Sequence, residues 1–257
     1  MAADEFAKLA GPDPEAARLK QEITDIILWT ERNSPRSRQA AIGPSELGDS
    51  CDRRLAYRIA GIPAINIWTD PWPAIVGTAI HDWLEKTVNR YQAQVQDLGY
   101  KTELRVYPDA MVRGRSDVYN SVSKTVVDWK TTGVDGMRKV RKGIISPGYR
   151  TQVHLYGLGH SRAGRPVDRV CLVFFPRGGW LDDAYVWIED YDPAIAQAAL
   201  KRMYGLAEDL IDLEIEKNPH RFQLIEATPG DTCVWCPFWS KTKDYDVAAD
   251  ATGCPGR

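Results

Sequence analysis

The chain has 257 residues, of which 44% are hydrophobic and 26% charged, and its formal charge is -2. That length suffices for one large domain or two small ones around a real core, in a composition ordinary for a soluble globular protein. Near-neutrality excludes a global electrostatic pull toward nucleic acid, so any polyanionic partner must be held by local patches. Two stretches offer them: Arg53, Arg54 and Arg58, and then Arg138, Lys139, Arg141, Lys142 and Arg150. No apolar run reaches membrane-spanning length, and the start lacks a charged-then-apolar signal pattern. The expectation is a cytoplasmic protein, whose five cysteines are then not expected to form disulfides, with metal ligation the live alternative.

In chain order, Pro14 to Asn33 is predicted helical, with Asp13 as cap and Ala17, Ile23, Ile26 and Ile27 on one face. A second helix is predicted from Ser45 to Ala60 and a third from Pro73 to Val95. Strands follow at Thr102 to Tyr107, Met111 to Tyr119 and Thr125 to Thr131. A basic loop then leads into a helix from Gly148 to His160. Val170 to Phe175 reads as a buried strand, Ala184 to Glu189 as its neighbour, and Pro193 to Lys217 as a long helix. The last forty residues lack periodicity and hold three cysteines. This order predicts an α/β or α+β core, a sheet flanked by helices.

The segment Gly114 to Lys130 reads as a β-hairpin with Asp117 on its first strand and Asp128-Trp-Lys130 on its second. Alternation puts Asp128 and Lys130 on one face and Trp129 on the other. A turn at Ser121 to Lys124 pairs Asn120 with Thr125 and sets Asp117 opposite Asp128, the two carboxylates about 5 Å apart. Like charges so opposed need a compensating cation, and a divalent metal supplies one. Glu103, before the hairpin, could reach the site but is read as a strand-surface residue. His154 and His160 are read as structural or surface residues, and Cys171 as a core thiol.

Asp-x-Lys alone is close to what chance supplies, but Gly77-Thr-Ala-Ile-His81 precedes it and Gln152-Val-His-Leu-Tyr156 follows. Gly-x-x-x-His, a strand Asp, Asp-x-Lys and Gln-x-x-x-Tyr, in this order, resemble the motifs of the RecB-like branch of the PD-(D/E)XK nucleases. The resemblance implies that His81, Asp117, Asp128 and the Trp129 carbonyl hold Mg²⁺ or Mn²⁺. It makes Lys130 the catalytic lysine, with Gln152 and Tyr156 building the site. Cys233-Val-Trp-Cys236, the Gly-Cys254-Pro turn and the distant Cys51 resemble the iron–sulfur members of this branch, the Cas-four exonucleases and AddB-type subunits. In those proteins four cysteines bind a [4Fe–4S] cluster; the gap from Cys236 to Cys254 departs from their short spacing.

The resemblance thus implies a single nuclease domain over 1–257, with a helical extension at 1–43 and a cysteine-rich clasp at 218–257 joined to Cys51. It implies a metal-dependent exonuclease acting on single-stranded or duplex DNA ends, serving phage recombination or replication or CRISPR adaptation, alone or as an oligomer with proteins of those systems. Arg53, Arg54, Arg138, Lys139, Arg141 and Lys142 are the expected phosphate contacts. A catalytically inactive DNA-binding module of the same fold, or a zinc-stabilised structural protein, would carry many of the same residues.

Overall fold

The computed structural model describes residues 13–33, 42–66, 70–228, 233–243 and 249–256. Parts of the expected amino-terminal extension (1–12 and 34–41) and of the cysteine-rich segment (229–232 and 244–248) lie outside the described residues. The chain divides into two compact units. One is Met1–Ala40 with Thr69–Pro73; the other is Ala41–Trp68 with Ala74–Arg257. Among the described residues no helix is long and apolar enough to cross a membrane.

The first unit carries α1, Pro14–Arg32. Asp13 caps it by accepting from the Glu15 amide at 2.8 Å, and proline occupies the first turn, as its sequence predicts.

The second unit begins with two short helices, α2 (Pro44–Leu47) and α3 (Asp52–Ile59), where one helix from Ser45 to Ala60 was expected. The break has a local cause. Asp49 accepts the Cys51 amide at 2.9 Å, a side-chain turn that competes with helix. It has a tertiary cause too: a Cβ on Gly48 would come within 2.3 Å of the Gly148 carbonyl oxygen, so two backbones meet there. Helix α4, Trp72–Gln94, leads into β1 (Tyr100–Val106), β2 (Gly114–Asn120) and β3 (Thr125–Thr132).

After β3 the chain forms a helix, α5 (Val134–Arg141), in place of the expected basic loop. Its inner face buries Met137 and Val140, and Arg138, Lys139 and Arg141 sit in the last turn, where cations favour the helix dipole. The remaining elements are α6 (Pro147–Arg162), β4 (Arg169–Pro176), β5 (Tyr185–Asp190) and α7 (Pro193–Asp212). Helix α7 stops short of the expected Lys217. Glu214 takes a left-handed φ of 47°, which turns Ile215 inward against the core.

The sheet is mixed, in the order β1-β2-β3-β4-β5. Its outer pairs are antiparallel, and β3 with β4 is the one parallel pair. That pair is bridged by α5 and α6, as a parallel connection requires. One hydrophobic cluster lies between the sheet and its helices, built from Tyr119, Val126, Val153, Val170, Leu172 and Phe174. A second joins α2, α3, α6 and α7 to the carboxy-terminal segment through Leu55, Tyr57, Leu155, Leu200, Phe222 and Phe238. Tyr57 stacks on Phe222 at 4.3 Å and on Phe238 at 5.0 Å.

Candidate active site

Three pairs of the hairpin follow the predicted register, Asn120 with Thr125, Tyr119 with Val126 and Val118 with Val127, while the expected Asp117–Asp128 pair lies beyond the ladder. The ladder ends at Val118 and Val127. One step further, Asp117 Oδ2 accepts the Trp129 amide at 2.8 Å, so a side chain takes the place of a ladder carbonyl. Asp117 Oδ1 lies 3.3 Å from His81 Nδ1 on α4, and the His81 ring meets the Trp129 ring edge-on at 6.2 Å. Gly77, four residues before His81, lies beside Thr131 of β3, where an added Cβ would make only ordinary contact at 3.5 Å.

Asp128 is 2% exposed. Its Oδ2 lies 2.7 Å from Lys130 Nζ, a close ion pair inside the protein. Gln152 knits the rest together. Its Oε1 accepts from Lys130 Nζ at 2.9 Å, while its Nε2 faces Asp128 Oδ1 at 3.3 Å and the Tyr156 hydroxyl at 3.2 Å. The spacing 149, 152, 156 lines one face of α6, and the Tyr149 ring covers the ammonium at 4.8 Å. Sequence reasoning missed Tyr149, although its place three residues before Gln152 was a readable signal.

Glu103 is another residue whose place differs from expectation. It is no simple strand-surface residue: β1 pairs with β2 on either side of it, while Glu103 itself has a left-handed φ of 54° and is partly buried. Arg115 holds its carboxylate at 3.1 Å. Burial, then the nearby Asp117 charge, push its pKa up, with Arg115 opposing. No sequence pattern announces a left-handed glutamate in mid-strand.

The electrostatics follow from burial and pairing. Burial raises the Asp128 pKa to about 6, against the downward pull of Lys130. Burial pulls the Lys130 ammonium down, yet Asp128 outweighs it and the net shift is upward. His81 behaves likewise, with Asp117 overcoming burial. Burial, with Asp128 nearby, keeps the Tyr156 hydroxyl protonated well above its ordinary range. The cations that compensate the two acids in this structure are thus Lys130 and, when protonated, His81. As they stand, no three of the His, Cys, Asp and Glu side chains among the described residues are gathered to hold a metal ion. The donor set itself, the Asp117 and Asp128 carboxylates with the His81 imidazole, suits a divalent cation.

The expected structural histidines are both fully buried. His154 bonds Glu189 at 2.7 Å and receives the Asp192 amide at 3.2 Å. His160 stacks on Tyr119 at 4.7 Å and accepts from Arg165 Nε at 2.8 Å. Burial, then Arg165, lower its pKa to about 4. Between pH 6.5 and about 4 the unfolded chain therefore binds the proton that the folded chain refuses. Stability falls through that window as pH drops, by about 3 kcal/mol at full effect. Asp128 works oppositely, since its raised pKa makes stability fall as pH rises from 3.8 to about 6. His160→Phe keeps the ring stack and removes its own titration. Urea unfolding from pH 4 to 7 should then show a shallower fall of stability toward acid than in the wild type; an unchanged acid slope would refute the assignment.

The basic residues separate into two groups. Arg53 is buried, and its guanidinium donates to Ile225 O at 3.0 Å, Gln223 O at 3.1 Å and Cys254 Sγ at 3.6 Å. This corrects the expectation of a phosphate contact there, because those donors are committed inside the protein. Arg54 pairs with Asp49 at 2.7 Å. Arg138, Lys139, Arg141 and Lys142 are exposed on α5 and its carboxy-terminal turn.

Cys51 precedes α3, and the segments bearing the other three cysteines are laced to that region. The Arg53 amide donates to Glu226 O at 2.8 Å, the Thr228 hydroxyl to Ser50 O at 3.1 Å and the Tyr57 hydroxyl to Asp250 O at 2.9 Å. Asn66 Nδ2 reaches both Val234 O and Cys236 O at 2.9 Å. Gly253, at a φ of 134°, makes the turn that presents Cys254. Cys254 Sγ accepts from Gly256 N at 3.4 Å as well as from Arg53. Burial raises the Cys236 thiol to about 11, with Cys51 and Cys254 adding to the rise. Cys171 is buried in β4, and burial lifts its thiol to about 11.

No family model and no curated protein sequence matches this chain. Solved structures do. A crystal structure of SSO0001 matches 86% of this chain and 94% of its own at 20% identity, with a TM-score of 0.46. LHK-Exo in complex with dAMP matches 70% of this chain and 92% of its own at 15% identity, with a TM-score of 0.49. The crystal structure of an alkaline exonuclease (LHK-Exo) from Laribacter hongkongensis matches 71% of this chain and 93% of its own at 12% identity, with a TM-score of 0.50. The α/β fold described above, a five-stranded mixed sheet flanked by helices, is shared with that exonuclease.

Proposed function

We propose that this chain is a divalent-metal-dependent deoxyribonuclease that hydrolyses phosphodiester bonds at DNA ends. The observation that carries the reading is the Asp128–Lys130–Gln152 network beside the Asp117–His81 pair, in a fold shared with an alkaline exonuclease. His81, Asp117, Asp128 and the Trp129 carbonyl would hold Mg²⁺ or Mn²⁺. Such an ion lowers the pKa of a bound water and neutralises charge on the phosphate. Lys130 brings a positive charge, fixed by Gln152 and Tyr149, to where negative charge develops. Gln152, tied to Tyr156, keeps both Lys130 and Asp128 in place. Burial at this site raises the energetic weight of each of these charges.

The reading extends to Cys51, Cys233, Cys236 and Cys254 as ligands of a [4Fe–4S] cluster. Its support is the lacing of their segments and the two N–H donors aimed at Cys254 Sγ. A cluster there would cross-link regions distant in sequence.

The test is digestion of end-labelled linear and covalently closed circular DNA with Mg²⁺ or Mn²⁺. Release of nucleotides from linear DNA alone is expected. If linear DNA survives every divalent cation, the enzymatic reading is wrong. Iron and sulfide analysis of the anaerobically purified protein tests the cluster, and stoichiometric zinc without iron would replace it by a zinc site.

A further inference from the structure

Outside the hydrolytic centre a cleft of about 340 Å³ opens beside α5. Val134, Met137 and Pro176 give it apolar walls, Arg138, Arg141 and Lys142 supply positive charge, and Asp183 stands on the β4–β5 connection. Its place in the sheet is specific. Thr132 and Pro176, the last residues of β3 and β4, are register partners, and α5 starts two residues after Thr132. The cleft therefore lies at the carboxyl ends of the parallel pair, where ligands of such sheets collect. Lys130 lies two residues before Thr132 on the same strand. At about 3.3 Å per strand residue, the cleft begins about 7 Å beyond Lys130. Duplex DNA covers that distance in about two nucleotides at 3.4 Å each.

One contact spans the opening. Arg141 Nη2 donates to Asp183 Oδ1 at 2.7 Å and to the Asp183 carbonyl at 2.6 Å. Arg138 pairs within its own helix, to Asp135 at 2.8 Å. Both pairs are solvent-exposed, so each is weak, and a backbone phosphodiester carries the same single negative charge as Asp183 on two oxygens that arginine can grip together.

We propose that this cleft seats the DNA backbone about two nucleotides from the scissile bond, and that a phosphate displaces Asp183 from Arg141. The inference rests on the nuclease reading and assigns its strand path. It has a sign that a merely structural ion pair lacks. Asp183 competes with the phosphate for Arg141, so removing its charge should strengthen DNA binding rather than weaken it.

The experiment is fluorescence anisotropy of a labelled duplex with the full-length protein in metal-free buffer across a range of salt concentrations. Wild-type cleavage with Mg²⁺ or Mn²⁺ is measured in parallel. Arg141→Gln and Lys142→Gln should each weaken binding of every sequence alike and reduce the salt slope by about 1. Asp183→Asn should tighten binding about two- to fivefold, the worth of an exposed pair expressed as affinity. Asp183→Asn added to Arg141→Gln should bring less gain than Asp183→Asn alone. If the wild type cuts DNA while Arg141→Gln and Lys142→Gln keep its salt slope, or while Asp183→Asn weakens binding, the cleft inference fails and the nuclease reading stands. A wild type that neither binds nor cuts DNA overturns both.

Discussion

Lys130→Ala is expected to slow DNA hydrolysis by about 10²–10³-fold, the cost of removing one fixed donor from a developing oxyanion. The same change should also destabilise the metal-free protein. Asp128 is fully enclosed and its Oδ2 has the Lys130 ammonium as its close partner, so truncation leaves a buried charge without compensation. Breaking such a pair from one side costs about 3–5 kcal/mol, unless the survivor takes a proton. Burial already holds the Asp128 pKa near 6, and without Lys130 it should climb further, so part of the penalty becomes proton uptake near neutral pH. Urea unfolding in chelator at pH 7, paired with single-turnover cleavage, separates the two effects. The double variant Asp128→Asn with Lys130→Met removes both charges and should recover much of the stability while remaining inactive. If Lys130→Ala cuts DNA within threefold of the wild-type rate, the lysine is not the electrostatic catalyst and the ion pair is only structural.

Arg53→Ala should lower the melting temperature by about 6–12 °C. Its guanidinium satisfies the carbonyls of Gln223 and Ile225 and faces the Cys254 sulfur. Two acceptors left without partners, with the lost packing, cost about 3 kcal/mol, and each kcal/mol shifts a chain of this size by about 2–4 °C. The loss should be local as well as global. The segment from Pro219 onward is held to α3 by the Tyr57, Phe222 and Phe238 stack and by hydrogen bonds such as Arg53 N to Glu226 O and Tyr57 OH to Asp250 O. Limited proteolysis should therefore nick the carboxy-terminal segment first. Arg53→Lys keeps the charge but not the fork, and should rescue little. A variant as stable as the wild type would show that the carbonyls find other partners, and that Arg53 is not what fastens this end of the chain.

Much of this architecture is legible because it is local. The cap at Asp13, the buried run of β4 and the turn at Ser121 to Lys124 each depend on neighbours within a few residues. The turn then fixes the register, and with it the relation of Asp117 to β3, because a one-residue slip would reverse every side chain of the hairpin. The misplaced elements have nonlocal causes. The expected helix from Ser45 to Ala60 breaks partly because Gly148, a hundred residues on, presses against Gly48. The basic stretch after β3 is helical because Met137 and Val140 find a core to bury against.

Residue types and spacing already select His81, Asp117, Asp128, Lys130, Gln152 and Tyr156 as a set, and a period-two strand puts Asp128 and Lys130 on one face. Which cation neutralises which acid was decided only by the tertiary structure. Gln152 comes from 22 and 24 residues away to bind Lys130 and Asp128, and Tyr149 closes over the ammonium from the same helix. The same holds for Arg53, whose charge reads as a surface contact until partners 170 and 172 residues away enclose it. Periodicity reports which face a side chain occupies; burial and pairing depend on what the rest of the chain folds against that face, and those contacts set the charges with which the site can work.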